Sequence, residues 1–493
     1  MKSSFVFPLL LLALAGHSAE AQSPGAFIQI GSMSTWRVFH TATLLNDGRV
    51  LIAGGRADTT LSSAELYDPA KRSFTPTGSM GTPRSSHTAT LLPNGKVLIA
   101  GGGTGPSSAP LTSMEVYDPS TGTFSPARNM TTGRASHTAT LLNNGKVLLI
   151  GGGADMIVQG FAAVAAEQFN PDTESLTPTG STTNGEGHQW ATLLANGTVL
   201  HAPIGGGSNS NDEGGADLYD PTSGVFRPTG GASLATSGLY ILTQNLLANG
   251  KVLVTSGAPE CDYGSTDALI YDPVKEAFST TGSMVRGRCL QTGTSLSDGT
   301  VLISGTWGYC TDFPPPELYE PTSGRFNQAG AMIVAGRYLH TATLLKDGSV
   351  LMAGGLGVNS SPCGNSYPAL AELYVPHSVA PPPVLLSLSG DTQGPGAILH
   401  AASQQVVSPD NPAVAGEALE IFGTGLIDGA VIPPQLAIGG LMAEVLYFGN
   451  APGYPGLNQI NVRVPSGIAS APAVPVRLNY LNRPSNEVTL AVR

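Results

Sequence analysis

The stretch RASHTATLLNNGKVLLIGGG (residues 134–153) decides the fold, because it recurs along the chain. Taken alone, its arginine and histidine could form a catalytic pair, and its glycine cluster could hold a phosphate. Its turn glycine, however, returns about every 50 residues, which indicates a repeat architecture. The recurring glycines are Gly48, Gly95, Gly145, Gly197, Gly250, Gly299 and Gly348. We therefore interpret the stretch as one of seven repeat units.

Each unit is predicted to contain four strands, named a to d from the inside outward. His137–Leu142 and Lys146–Ile150 are predicted to pair through an Asn-Gly turn, which supplies the positive φ angles of a tight hairpin. Met114–Tyr117 and Phe124–Ser125 are predicted to form a second hairpin across a turn that contains Pro and Gly. An aromatic residue two positions before a proline marks strand c in every unit: Tyr67, Tyr117, Phe169, Tyr219, Tyr271, Tyr319 and Tyr374.

The seventh unit lacks an outer strand after Tyr374, whereas the other six continue into segments such as FTPTGSM (74–80). A matching segment, FIQIGSM (27–33), lies near the beginning of the chain. We expect this N-terminal strand to complete the last unit and close the ring, because closure removes exposed sheet edges.

The repeats resemble those of secreted bacterial kelch proteins. The resemblance rests on the glycine pairs Gly54-Gly55, Gly101-Gly102 and Gly354-Gly355 and on the Tyr-Asp-Pro landmarks, and it covers about residues 27–376. It implies an all-β fold whose first part is a seven-bladed kelch-type β-propeller, for which we expect residues 22–377.

A second β region is predicted beyond a proline-rich linker at 378–384. Between 385 and 493, short alternating runs such as ALEIFGTGL (418–426) and QINVRVP (459–465) are separated by turn residues, as in a β-sandwich. This region resembles the immunoglobulin-like module at the C-terminus of many secreted bacterial proteins, and a spacer or adhesive role is the expectation.

The first 21 residues have the features of a signal peptide: Lys2, an apolar run from Phe5 to Ala15 and the small-x-small site before Gln22. We expect a secreted, periplasmic or cell-surface protein without a membrane span in its mature chain. The net charge of −11 and the lack of a basic run argue against nucleic acid as a partner.

The Arg-x-x-His pairs are Arg37/His40, Arg84/His87, Arg134/His137 and Arg337/His340, with a partial copy at Arg288/Gln291. Because catalysis requires one positioned acid or base rather than several copies, we predict no catalytic role for them. We expect both side chains to form hydrogen bonds between neighbouring blades. No helix is predicted after the glycine clusters, so phosphate binding is not expected either.

Strand order predicts a turn face, formed by the a–b and c–d turns, and a loop face, formed by the longer b–c and d–a loops. All four cysteines, Cys261, Cys289, Cys310 and Cys363, are predicted on the loop face. An even number in an exported chain suggests two disulfides, and of three possible pairings we favour Cys261–Cys289 with Cys310–Cys363. Their spacing does not favour a zinc site.

Candidate ligand-binding residues are those that the repeat does not require. They are Asp262, Tyr263, Arg286, Trp307, Tyr309 and Asp312 near the cysteines, and His188 and Trp190 in unit four. Aromatic rings beside charged groups could hold a sugar or a peptide, although such residues also commonly pack a loop. The acidic run Asn209–Glu213 could bind Ca²⁺, but it lacks the spacing of a dedicated loop.

Three functions stay open. The main hypothesis is an exported, non-enzymatic binding or adhesion protein whose loop face binds a carbohydrate, peptide or surface partner without a cofactor. The alternative is an extracellular enzyme, because a propeller followed by an immunoglobulin-like module resembles the galactose oxidase family of copper radical enzymes. That family requires two Tyr and two His ligands, one His from the C-terminal domain, where this chain offers only His400. The third is a structural envelope component.

Overall fold

The structure is a computed structural model that describes residues 25–105, 108–153, 165–183, 189–203, 215–229, 240–257, 265–306, 313–358, 365–366, 369–427 and 431–493. Within these ranges the secondary structure consists of β-strands, with no helix. The described part of the chain accordingly contains no helix that is long and apolar enough to cross a membrane.

Seven four-stranded antiparallel sheets form from the described residues between Ala26 and Val375. Strand β1 is Ala26–Ser32, and the next three sheets each use four consecutive strands. The first is β2 (Thr41–Leu44), β3 (Val50–Ala53), β4 (Ala64–Asp68) and β5 (Ser73–Pro76). The second is β6 (Thr88–Leu91), β7 (Val97–Ala100), β8 (Met114–Asp118) and β9 (Thr123–Ala127). The third is β10 (Thr138–Leu141), β11 (Val147–Ile150), β12 (Glu167–Asn170) and β13 (Ser175–Pro178).

The next three sheets repeat the same order. The fourth is β14 (Gln189–Leu193), β15 (Val199–Pro203), β16 (Asp217–Asp220) and β17 (Val225–Pro228). The fifth is β18 (Tyr240–Leu246), β19 (Val252–Gly257), β20 (Ala268–Asp272) and β21 (Ala277–Thr280). The sixth is β22 (Thr292–Ser295), β23 (Val301–Ser304), β24 (Glu317–Glu320) and β25 (Arg325–Gln328).

The seventh sheet joins the two ends of this region. It contains β26 (Thr341–Leu344), β27 (Val350–Ala353) and β30 (Leu370–Val375), and β1 is its outer strand. The predicted pairing is present, with Phe27 opposite Tyr374 and Ile28 opposite Leu373. A short hairpin, β28 (Gly357–Val358) with β29 (Asn365–Ser366), extends the loop before β30.

The sheets form a ring around a central channel. Each first strand of a sheet (β2, β6, β10, β14, β18, β22 and β26) contacts the first strand of the next sheet, and β26 contacts β2. The apolar cores lie between adjacent sheets: Leu51 and Ala53 of the first sheet pack with Val97, Ile99 and Tyr117 of the second. This arrangement is that of a β-propeller.

The tight turns follow from the sequence. Gly145, at the turn between β10 and β11, has a φ of 80°, a left-handed conformation that an Asn-Gly pair adopts with little strain. The equivalent glycines of the other sheets are also left-handed, with φ between 81° (Gly250) and 91° (Gly299). The repeated glycine is therefore a requirement of the turn.

The C-terminal residues form a separate pair of antiparallel sheets around one core. One sheet contains β31 (Val384–Leu385), β32 (Ile398–His400), β33 (Ala418–Thr424), β36 (Glu444–Asn450) and β37 (Asn458–Arg463). The other contains β34 (Gln435–Ile438), β35 (Leu441–Met442), β38 (Ala471–Tyr480) and β39 (Arg483–Val492). Alternate residues of both sheets, such as Leu419, Ile421, Val476 and Leu478, are buried between them. We call this the C-terminal unit.

Candidate functional site

Five buried arginines of the ring are each paired with a glutamate of the same sheet. The pairs are Arg37–Glu65 (2.9 Å), Arg84–Glu115 (2.7 Å), Arg134–Glu167 (2.9 Å), Arg288–Glu317 (2.9 Å) and Arg337–Glu372 (3.0 Å). The Arg84 guanidinium also donates to the carbonyl oxygens of Gly101 and Ser113, both in its own sheet. The prediction that the arginine side chains bridge neighbouring blades is therefore wrong, because each finds its carboxylate in its own sheet.

The arginine backbone, by contrast, does connect neighbouring sheets. The Gly55 N–H donates to the carbonyl of Arg84 (2.8 Å), and the Gly102 N–H donates to that of Arg134 (2.7 Å). A Cβ at Gly101 would lie 2.2 Å from the Arg134 oxygen, so only glycine permits this approach. The glycine pairs are thus explained by contacts between sheets.

The histidines bridge neighbouring inner strands, as the sequence predicted. The Nε2 atoms of His40, His87, His137 and His340 lie 3.0–3.1 Å from the hydroxyls of Thr341, Thr41, Thr88 and Thr292, each in the adjacent sheet. Burial, and then the neighbouring arginine, lowers the pKa of His137 to about 3. Burial also lowers the pKa of His40, His87 and His340, so all four rings are neutral near pH 7, and their contacts account for their recurrence.

The C-terminal unit covers the turn face of the ring. A Cβ at Gly145 would lie 3.3 Å from Met442 Cγ, and one at Gly250 would lie 3.0 Å from Val431 Cγ2. The Lys346 ammonium, in the turn after β26, donates to the carbonyl of Ser485 (3.4 Å). The loop face lies on the other side of the ring from these contacts.

Of the predicted ligand-binding residues, two lie in the described part of the chain. Trp190 is on β14 opposite Ala202, with 37% of its surface exposed. Arg286 is exposed in the loop before β22, and its backbone N–H donates to Glu317 Oε1 (3.2 Å). The two residues belong to different sheets, separated by the fifth. Asp262, Tyr263, Trp307, Tyr309, Asp312 and His188 lie outside the described residues, as does the acidic run 209–213.

Cys289 is buried and disulfide-bonded. It follows Arg288 directly, in the loop that leads into β22. Cys261, Cys310 and Cys363 lie outside the described residues, so the favoured pairing of the four cysteines stays a prediction.

A feature that the sequence did not predict is a cavity of about 620 Å³ on the axis of the ring. The inner strands of all seven sheets form its wall. The C-terminal unit also contributes to its lining, through Ile432, Pro433 and the β38–β39 hairpin residues Leu481 and Asn482. The repeated inner strands indicate that the ring has an axial wall. The sequence does not indicate that the β38–β39 hairpin closes one end of it, because this hairpin lies far along the chain from the repeats.

Three comparisons with known proteins bear on this geometry. Residues 84–131, which span the second sheet, match the family model described as Kelch motif. The chain carries a kelch repeat. No curated protein matches the sequence. Among solved structures, the chain is similar to one titled as a novel fungal alcohol oxidase with catalytic diversity among the AA5 family, in complex with copper. The identity is 16%, the TM-score is 0.56, and the match covers 96% of this chain and all of that one.

The comparisons support a kelch-type β-propeller, and the copper of the similar structure requires a test against the residues present. His400, the histidine expected from the C-terminal region, lies on β32, with Nδ1 2.5 Å from Glu417 Oε1 and Nε2 3.0 Å from the Asn411 carbonyl. The hairpin that reaches the cavity carries leucine and asparagine at its tip. Among the described residues, no group of three His, Cys, Asp or Glu side chains could hold a metal ion. We therefore derive no step through copper.

Proposed function

We propose that this protein is an exported, non-enzymatic binding or adhesion protein. Its seven four-stranded sheets are the blades of a seven-bladed propeller over residues 22–377, after a signal peptide at 1–21. The linker 378–384 leads to an immunoglobulin-like module at 385–493. The loop face binds a carbohydrate, peptide or surface partner outside the cytoplasm.

One observation carries this proposal: the C-terminal unit packs against the turn face, where Met442 and Val431 contact the turn glycines. The face that carries the longer and more variable loops is opposite to it. Variable loops on a rigid scaffold commonly form binding sites. A module on the turn face can therefore attach or space the propeller without covering the loops.

The test is binding of the mature chain, beginning at Gln22 and with its cysteines oxidised, to arrays of glycans and cell-envelope polymers. Trp307→Ala, Tyr309→Ala and Arg286→Ala are expected to abolish saturable binding if the loop face is the site. Tyr454→Ala is the matched control, since this aromatic residue is 63% exposed on the C-terminal unit. Binding that survives all three loop variants, or no binding at all, would overturn the proposal.

The alternative is an extracellular enzyme on the same scaffold, which the similarity to a copper alcohol oxidase over 96% of the chain favours. Copper content and oxygen consumption with primary alcohols test it on the same preparation. One copper per chain together with alcohol-dependent oxygen uptake would establish the enzyme. Copper-loaded protein without alcohol-dependent oxygen uptake would rule out this oxidase hypothesis.

A further inference from the structure

The cavity on the ring axis is lined entirely by uncharged residues. They are Ala, Thr, Leu, Gly, Ser, Asn and Gln from the inner strands and Ile, Pro, Gln, Asn and Leu from the C-terminal unit. Its volume of about 620 Å³ falls in the range of small-molecule sites. A charged molecule would lose its hydration there without a counter-charge in the wall, which is costly. The cavity therefore suits neutral molecules.

The wall departs from the repeat at one place, between the fifth and sixth sheets. Five inner strands have an Ala-Thr pair at the wall, such as Ala42-Thr43 and Ala342-Thr343. At the same position β18 has Gln244-Asn245, and β22 has Gly293-Thr294. A Cβ at Gly293 would lie 2.2 Å from Asn245 Oδ1, so the small residue makes room for the large one. The unusual residues of β18 and β22 therefore lie side by side in the wall.

Several polar atoms of the cavity wall have no hydrogen-bond partner within the protein. They are Gln244 Nε2, Asn245 Oδ1 and Thr294 Oγ1 on the inner strands, and Asn479 Oδ1 on β38. Asn245 and Thr294 are each only 8% exposed. Buried polar atoms usually find partners, so a concentration of such atoms in one cavity wall requires an explanation. The set combines an amide donor, two amide acceptors and a hydroxyl that can do both.

We infer that the axial cavity is a binding site for a small, uncharged molecule rich in hydroxyl groups, such as a free monosaccharide or polyol. Hydroxyl groups both donate and accept, so they can satisfy Gln244, Asn245, Thr294 and Asn479 together. The alanine and leucine side chains of the other strands would contact the C–H surface of the same molecule. This inference does not rest on the proposed loop-face function.

The experiment measures binding of D-glucose, myo-inositol and glycerol to the whole chain by calorimetry and ligand-observed NMR. At least one of them is expected to bind saturably, and gluconate and glucosamine, which carry charges, are expected to bind at least about tenfold more weakly. The double variant Gln244→Ala/Asn245→Thr installs the residues found in five other strands, and it should weaken binding by about tenfold or more. Thr294→Val keeps the volume and removes the hydroxyl, and it should also weaken binding.

Trp307→Ala is the control, because it alters the predicted loop-face patch and should leave this binding unchanged. Loss of polymer binding in that variant with retention of monosaccharide binding would separate the two proposals. The inference would be overturned if none of the three neutral probes binds, or if the double variant and Thr294→Val both bind the probe as tightly as the unaltered chain does. It would also be overturned if crystals grown with the probe show only ordered water at these four side chains.

Discussion

At the scale of single residues, the buried arginine–glutamate pairs are expected to be the positions least tolerant of truncation. Arg84→Ala would leave Glu115 buried without a counter-charge, and such losses cost about 3–5 kcal/mol of unfolding free energy. Arg227→Ala is the control, because Arg227 pairs with Glu276 at the surface, where both side chains are more than a third exposed. Surface pairs contribute about 0–1 kcal/mol. Denaturant unfolding of both variants checks the difference, and equal losses would contradict it.

The buried histidines predict a dependence of stability on pH. In the unfolded chain a histidine takes up a proton near pH 6.5, whereas burial lowers the pKa of His40, His137 and His340 to about 3 in the folded chain. Between these values the unfolded state binds more protons, so the unfolding free energy falls as the pH falls from about 6.5 towards 3. Each histidine contributes about 1.4 kcal/mol per pH unit in that window.

Replacement by glutamine tests this dependence, because the repeat itself has Gln291 at the histidine position. Its Nε2 donates to the Ser256 carbonyl (3.0 Å), so a glutamine there can still donate a hydrogen bond. His137→Gln is expected to flatten the acid limb of a stability–pH profile by about one proton. At His400, burial lowers the pKa, but the hydrogen bonds that its ring makes to the Glu417 carboxylate and the Asn411 carbonyl outweigh this effect and raise the pKa overall. His400→Gln should therefore not flatten that limb, and an unchanged slope in His137→Gln would refute the explanation.

At the scale of elements, hydrogen bonds tie the outer parts of neighbouring sheets together. The hydroxyls of Tyr117, Tyr219, Tyr271 and Tyr319 lie 2.8–2.9 Å from those of Thr77, Thr179, Thr229 and Thr281, each at the end of the preceding outer strand. The third sheet has Phe169 at the tyrosine position and Ala127 at the preceding threonine position, so both hydroxyls are missing together. Before the first sheet in the ring, the outer strand is β1, which has Ile30 at the threonine position. The hydroxyl of Tyr67 accordingly has no partner within the protein.

This difference predicts opposite effects for one substitution at two equivalent sites. Tyr117→Phe would remove a hydrogen bond and leave Thr77 with one partner fewer, at a cost of about 1 kcal/mol. Tyr67→Phe would remove a buried hydroxyl that makes no such bond, so stability should stay equal or rise. Thermal unfolding of the two variants provides the measurement. A loss of stability in Tyr67→Phe as large as that in Tyr117→Phe would contradict a stabilising role for the Tyr–Thr hydrogen bond.

Strand positions could be predicted from the sequence because they depend on local signals. The Asn-Gly turn and the alternating pattern beside it predict a strand over residues 146–150, and the structure has a strand at Val147–Ile150. The glutamate partners were missed, although a signal was present. Every unit with the arginine has a glutamate two positions before its strand c aromatic residue, and the fifth unit, with Leu269 there, has no arginine before its inner strand. The axial cavity could not be predicted, because it depends on where the β38–β39 hairpin docks.

At the scale of the whole molecule, the ring is closed by a strand that differs from the other outer strands. Strand β5 is joined to β4 by a short turn, whereas β1 reaches β30 from the other end of the ring region. Phe27 packs on Tyr374 with ring centroids 5.0 Å apart, and Phe74 packs on Tyr67 at the same distance. The two contacts are equivalent in chemistry, but only the contact between Phe27 and Tyr374 joins the two ends of the ring region.

We therefore expect Phe27→Ala and Phe74→Ala to differ in where the protein opens. Each loses a comparable aromatic contact, which costs about 3 kcal/mol, but only Phe27→Ala should release a strand that no hairpin retains. Amides of β30 that face β1, around Leu373 and Val375, should then exchange with solvent faster by hydrogen exchange. In Phe74→Ala the connection to β4 keeps β5 close, so protection of β4 should fall less. Because an unpaired β30 is an exposed sheet edge, Phe27→Ala should also aggregate sooner on warming. Equal protection of β30 and β4 in the two variants would mean that β1 is held by more than its contact with Tyr374.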